Sequence, residues 1–138
     1  MHIVSQTEKD RITSLISHEL DKDERVIFAY LYGSFVREKF FRDIDVFVYT
    51  RKDENTFVTQ SSIRDNIYAL IIDAGFHNIC IDDIDARVIN DAPYDFVIDI
   101  LDKGLLLVDK DRELRTDYIE RISDQYRVNY FILDEAYR

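Results

Sequence analysis

The chain has 138 residues, 46% hydrophobic and 33% charged, the composition expected of a soluble globular protein of one domain. Twenty-eight acidic residues against eighteen basic ones leave a formal charge of −10, which disfavours a polynucleotide substrate, because phosphate backbones are gripped by positive surfaces. Cys80 is the only cysteine, so no internal disulfide forms; with no basic-plus-apolar leader and no apolar run near the roughly 20 residues that cross a bilayer, the expectation is a cytoplasmic protein without a membrane partner.

Ser5 and Glu8 have the spacing of a capping box, and Ile12, Leu15, Ile16 and Leu20 then recur at helical intervals, predicting a helix from about Gln6 to Leu20. The charged turn Asp21-Lys22-Asp23-Glu24 leads into an apolar strand, Val26 to Tyr32, which stops at Gly33-Ser34. A short helical segment follows. A second apolar run, Val46 to Tyr49, is then introduced by Asp43 and Asp45. Lys52 to Asn55 caps a helix with Phe57, Val58, Ile63, Ile67, Leu70 and Ile71 inward, and Gly75 ends it.

Cys80 lies in an apolar stretch and reads as a buried thiol. Ile79 and Ile81 are out of phase with Ile84, Ala86 and Val88, so a break near Asp82-Asp83 is expected before a strand from Ile84 to Ile89. Pro93 opens a further helix in which Phe96, Val97, Ile100 and Leu101 form the buried stripe, and Gly104 closes it. Leu105 to Val108 is a short apolar strand. From Asp111 a long helix carries Leu114, Tyr118, Ile122 and Tyr126 at four-residue intervals, and Tyr130, Phe131, Leu133 and Tyr137 give its end an aromatic surface for packing on its own domain or on a partner.

The chemistry concentrates between Gly33 and Asp45. Gly33 can adopt a backbone conformation closed to other residues and admits a ligand close to the main chain. Ser34 stands at a helix start, where free N–H groups favour a phosphate, and Arg37 follows one turn later. Asp43 and Asp45 project from one side of a strand, about 7 Å apart along it, while Ile44, Val46 and Val48 face the core. Such a pair suits magnesium, which takes one or two carboxylates and completes its shell from water and substrate phosphates. An anion cradle facing these carboxylates implies a nucleoside triphosphate. Asp85, with Asp83 as a rival, is the candidate third carboxylate. Arg42 would hold phosphate or pair with Glu38.

Gly33-Ser34 followed by Asp43-x-Asp45 resembles the signature of the nucleotidyltransferase superfamily related to DNA polymerase beta, in its minimal MNT-type form. Ile84 to Pro93, with Ile100, Gly104, Leu107 and Asp111, is similar to the second half of MntA-like antitoxins, which are encoded beside HEPN-domain toxins. Eight residues separate Ser34 from Asp43, a shorter spacing than is usual there, and Glu38 stands where a glycine is common. The resemblance implies an α/β (α+β) nucleotidyltransferase fold, a small mixed sheet flanked by helices with a C-terminal helix. It is expected as a single minimal domain over 1–138, with a core of about 5–108 and a C-terminal helix of about 111–137.

By the same resemblance Asp43, Asp45 and Asp85 are the catalytic and metal-binding residues for two Mg2+ ions, and Gly33, Ser34 and Arg37 bind the nucleotide. The implied reaction transfers AMP from ATP to a tyrosine of a HEPN ribonuclease toxin and silences it. Two alternatives stand beside it: an antitoxin that neutralises the HEPN partner by contact alone, and a nucleotidyltransferase acting on a small molecule.

Overall fold

The computed structural model describes residues 2–52 and 55–136, with side chains described as far as Val128. In chain order the elements are β1 (His2–Ile3), α1 (Gln6–Lys22), β2 (Val26–Tyr32), α2 (Ser34–Arg37), β3 (Phe40–Phe41), β4 (Ile44–Thr50), α3 (Thr56–Asp73), β5 (Ile84–Val88), α4 (Tyr94–Lys103), β6 (Leu105–Asp109) and α5 (Arg112–Ala136). A 3-10 turn over Ile81–Asp83 supplies the break expected before β5. The side chains of Asp53, Glu54, Tyr130, Phe131, Leu133 and Tyr137, to which the sequence assigned a cap and an aromatic surface, lie outside the described residues.

The ends of the elements follow local chemistry. Ser5 and Glu8 form the reciprocal capping box that starts α1, and the Asn55 side chain accepts the Val58 N–H to start α3. Gly75, at φ +98°, takes the left-handed turn after α3, and Gly104 caps α4.

Four strands form a mixed sheet in the order β5-β4-β2-β6, with β5 parallel to β4 and the other pairs antiparallel. Helices clothe both faces. On one, Ile44, Val46, Val48, Leu31, Ile84 and Ala86 pack with Ile12, Ile16, Ile63 and Ile67 from α1 and α3. On the other, Phe28, Tyr30 and Phe47 pack with Val97 and Ile100 of α4 and with Tyr118 and Ile122 of α5. This is the mixed α/β architecture that the sequence predicts.

Some details differ. Phe57 and Val58 are exposed on the first turn of α3, whose inward stripe is Thr59, Ile63, Ile67 and Ile71. Phe96 is likewise exposed, its ring edge-on to Phe47 at 5.5 Å. Cys80 is exposed, because the 3-10 turn after it interrupts the strand that would have buried it. The segment between α2 and β4 also holds an unforeseen feature. Phe40–Phe41 pairs antiparallel with His2–Ile3, so the start of the chain closes over this short connection.

Asn90 locks the far end of β4: its side chain accepts the Thr50 N–H at 2.9 Å and donates to the Thr50 carbonyl at 2.7 Å. Asn90→Ala leaves two backbone groups of a buried residue unpaired, and chemical denaturation is expected to show a loss of about 3 kcal/mol. A loss below about 0.5 kcal/mol would show that these bonds are replaceable by water.

Candidate active site

Alternation along β4 sends Ile44, Val46 and Val48 to the α1/α3 face and Asp45 to the opposite one with Phe47. Asp43 lies one residue ahead of the strand. Register then selects the neighbours of Asp45: Tyr32, the last residue of β2, on one side and Asp85, in the parallel strand β5, on the other. Two strands are therefore enough to set two of the predicted carboxylates side by side.

Gly33 follows Tyr32 at φ +92°, a conformation that side chains other than glycine rarely adopt. The conformation favours glycine, and a Cβ built there would meet Asp45 Oδ2 at 2.8 Å, so a larger residue would also turn that carboxylate away from the corner. The corner and the carboxylate press directly against one another. Ser34 to Arg37 form a single helical turn, held by the buried ring of Phe35, which stands edge-on to Phe41 at 4.8 Å. The Arg37 guanidinium lies 5.1 Å from the centre of the Tyr32 ring, on the side of the corner that Asp45 faces.

Tyr32 in turn donates its hydroxyl proton to Asp99 of α4, which Lys103 also contacts at 3.1 Å. Neither Tyr32 nor Asp99 was singled out from the sequence. The position of Tyr32 just before Gly33 was the available signal, whereas Asp99, 67 residues away, had none.

Asp83 and Asp85 have different surroundings. Asp83 accepts the Cys80 N–H at 2.9 Å and contacts His2 Nε2 at 2.8 Å, so it fastens the turn ahead of β5. Asp85 lies beside Asp45 and forms an exposed ion pair with Arg87 at 3.1 Å. Arg42 is exposed and makes no ion pair with Glu38 among the described residues.

The charges are incompletely balanced. Burial, then the negative charges of Asp85 and Asp43, push the Asp45 carboxyl up to about 6, and Arg87 only partly offsets them. Among the described residues no three acidic, imidazole or thiol groups form a closed ligand set. Magnesium does not need one, since water and substrate phosphate supply the rest of its shell. A half-buried carboxylate crowded by two others is donor chemistry that a hard cation satisfies, and Asp43, Asp45 and Asp85 fit such an ion. A larger cleft of about 620 Å³, lined by Lys52, Thr56, Asn90 and Arg121 among others, opens at the far end of β4 and β5.

Because the folded-state pKa of Asp45 is raised above the model-peptide value of 3.8, the folded chain holds a proton that the unfolded chain releases. The resulting stability is present at about pH 4 and is lost as pH rises through about 6. With a chelator present, the melting temperature should therefore fall more steeply over this range for the wild type than for Asp45→Asn. Added magnesium should raise it at pH 7 only in the wild type. Parallel pH profiles for the two proteins would contradict this charge balance.

Residues 15–113 match the family described as Polymerase beta, Nucleotidyltransferase. The chain matches no curated protein by sequence. Among solved structures it is similar to a chain of the MntA-HepT toxin-antitoxin complex, with a TM-score of 0.58 and 14% identity over 97% of this chain and 100% of the other. A toxin-antitoxin structure with AMP-PNP gives 0.63 and 15%, over 91% and 98%. A tri-AMPylated Shewanella oneidensis HEPN toxin in complex with MNT antitoxin gives 0.58 and 14%, over 96% and 98%. These likenesses concern the fold, while the family match spans most of the chain and includes the glycine-serine corner and all three aspartates. The chain belongs to the polymerase beta-type nucleotidyltransferases.

Proposed function

We propose that this protein transfers AMP from ATP to a tyrosine of a HEPN-type toxin and so neutralises it in the cytoplasm. One observation carries the reading: a positive-φ glycine turn is packed against Asp45, itself in register with Asp85. The similar solved complexes supply the biological setting, since one contains AMP-PNP and another a HEPN toxin already AMPylated.

In this mechanism Gly33 and Ser34 hold the triphosphate, and Arg37, braced on Tyr32, contributes a cation to it. Asp43, Asp45 and Asp85 would hold magnesium, which supplies Lewis-acid stabilisation of the reacting phosphate and the leaving pyrophosphate. Asp85, at the exposed edge of the sheet, accepts the proton of the incoming tyrosine hydroxyl. The new bond joins the tyrosine oxygen to the α-phosphorus, and the bond to pyrophosphate breaks. The protein contributes positioning and charge stabilisation. The net charge of −10 suits a basic or neutral protein acceptor better than a nucleic acid.

The hold of Arg87 on Asp85 favours a second reading, in which the chain neutralises its partner by contact alone. Intact-mass analysis of the cognate HEPN protein after incubation with this protein, ATP and magnesium separates the two. The wild type should add one or more AMP units, and Asp43→Asn or Asp45→Asn should slow the addition at least about 100-fold, as losses of key electrostatic groups do. An unmodified partner that is nevertheless neutralised would overturn the transferase reading.

A further inference from the structure

Lys9 has no part in the chemistry above, yet it is one of the few charged side chains withdrawn from water, at 8% exposure. It makes no ion pair among the described residues. Its ammonium donates to the carbonyl of Glu38 and lies 5.4 and 5.7 Å from the ring centres of Phe35 and Phe41. Glu38 caps the C-terminal end of α2, its own N–H bonding the Ser34 carbonyl at 2.8 Å. Lys9 therefore reaches from α1 to the carbonyl of the residue that caps the turn begun by Ser34.

The surroundings show why that tie matters. Only Phe35 of α2 is buried, and a cleft of about 380 Å³ opens beside the turn, lined by Ser5, Gln6, Lys9, Arg37, Glu38 and Lys39. One end of α2 is anchored by an aromatic contact and the other by the lysine. A buried ammonium without a carboxylate is a poor way to gain stability, because desolvation opposes it. Retaining it makes sense where its hydrogen bond does something that an apolar side chain cannot.

We infer that Lys9 is a positioning residue for the nucleotide: by holding the end of α2 it aims Ser34 and Arg37 at the phosphates. The inference rests on the nucleotide-binding role proposed for the glycine-serine corner. It predicts a separation of stability from binding, since methionine can occupy the apolar passage of the lysine stem while losing the donor. It also predicts reciprocity: if the tie prepares the site for nucleotide, bound nucleotide must strengthen the tie.

The test uses AMP-PNP with magnesium and needs no acceptor. Lys9→Met should melt at or above the wild-type temperature and bind at least about tenfold more weakly, and Lys9→Arg, which keeps a donor, should recover part of the loss. In the wild type, modification of Lys9 by an amine-reactive reagent, followed by peptide mass mapping, should slow at least about threefold when AMP-PNP and magnesium are bound. Unchanged affinity in a folded Lys9→Met would reduce the lysine to a structural role and overturn the inference. Should that variant not fold, an unchanged modification rate in the wild type overturns it equally. A wild type that binds no AMP-PNP refutes the nucleotide reading itself, which separates that failure from a failure of the lysine alone.

Discussion

The candidate site depends on one carboxylate, Asp45, that the sheet holds partly buried and in register beside Asp85. Asp45 is the second residue of a strand whose other face is sealed by α1 and α3, and its neighbours are fixed by hydrogen-bond register rather than by side-chain choice. A slip of one residue would turn Asp45 into the core and Val46 out of it, so the apolar packing of β4 also enforces the charge crowding. In the proposed function, a cation arriving with its nucleotide would offset the cost of holding these like charges together. Gly33 suits that arrangement, because it takes the positive φ of the turn after β2 and leaves the Asp45 carboxylate its place beside the corner.

The same sheet separates tasks by face and by end. The face toward α1 and α3 is apolar and supplies most of the core, whereas the face toward α4 and α5 is aromatic along its centre and acidic where β4 and β5 begin. Tyr32 joins the two regions: its ring touches Phe47, its hydroxyl reaches Asp99, and Arg37 lies over it. The pairing of β1 with β3 and the reach of Lys9 both contact the connection between Ser34 and Asp43.

Much of this was legible in the residues. The apolar runs gave β2 to the residue, the capping box gave the start of α1, and Gly75 and Gly104 marked the ends of α3 and α4. Alternation along β4 separated Asp45 from the core residues Ile44, Val46 and Val48, whereas Asp43, expected on the same strand, lies just ahead of it. The misses have a common cause, for they concern residues whose surroundings are decided by distant parts of the chain. Phe57, Val58 and Phe96 lie in the first turns of their helices, where Thr59 and Val97 take the inward positions, so hydrophobicity alone assigned them inward. Two-residue strands such as β1 and β3 carry no periodicity. Asp83 and Asp85 are indistinguishable as letters, and differ only because His2 and the Cys80 N–H engage one while Asp45 adjoins the other.

The most direct test is where metal and nucleotide bind. Crystals grown with manganese and AMP-PNP should show anomalous density between Asp43 and Asp45, with the triphosphate against Gly33 and Ser34. Manganese away from these carboxylates, or a nucleotide seated in the 620 Å³ cleft beside Lys52, Asn90 and Arg121, would contradict the placement of the active site.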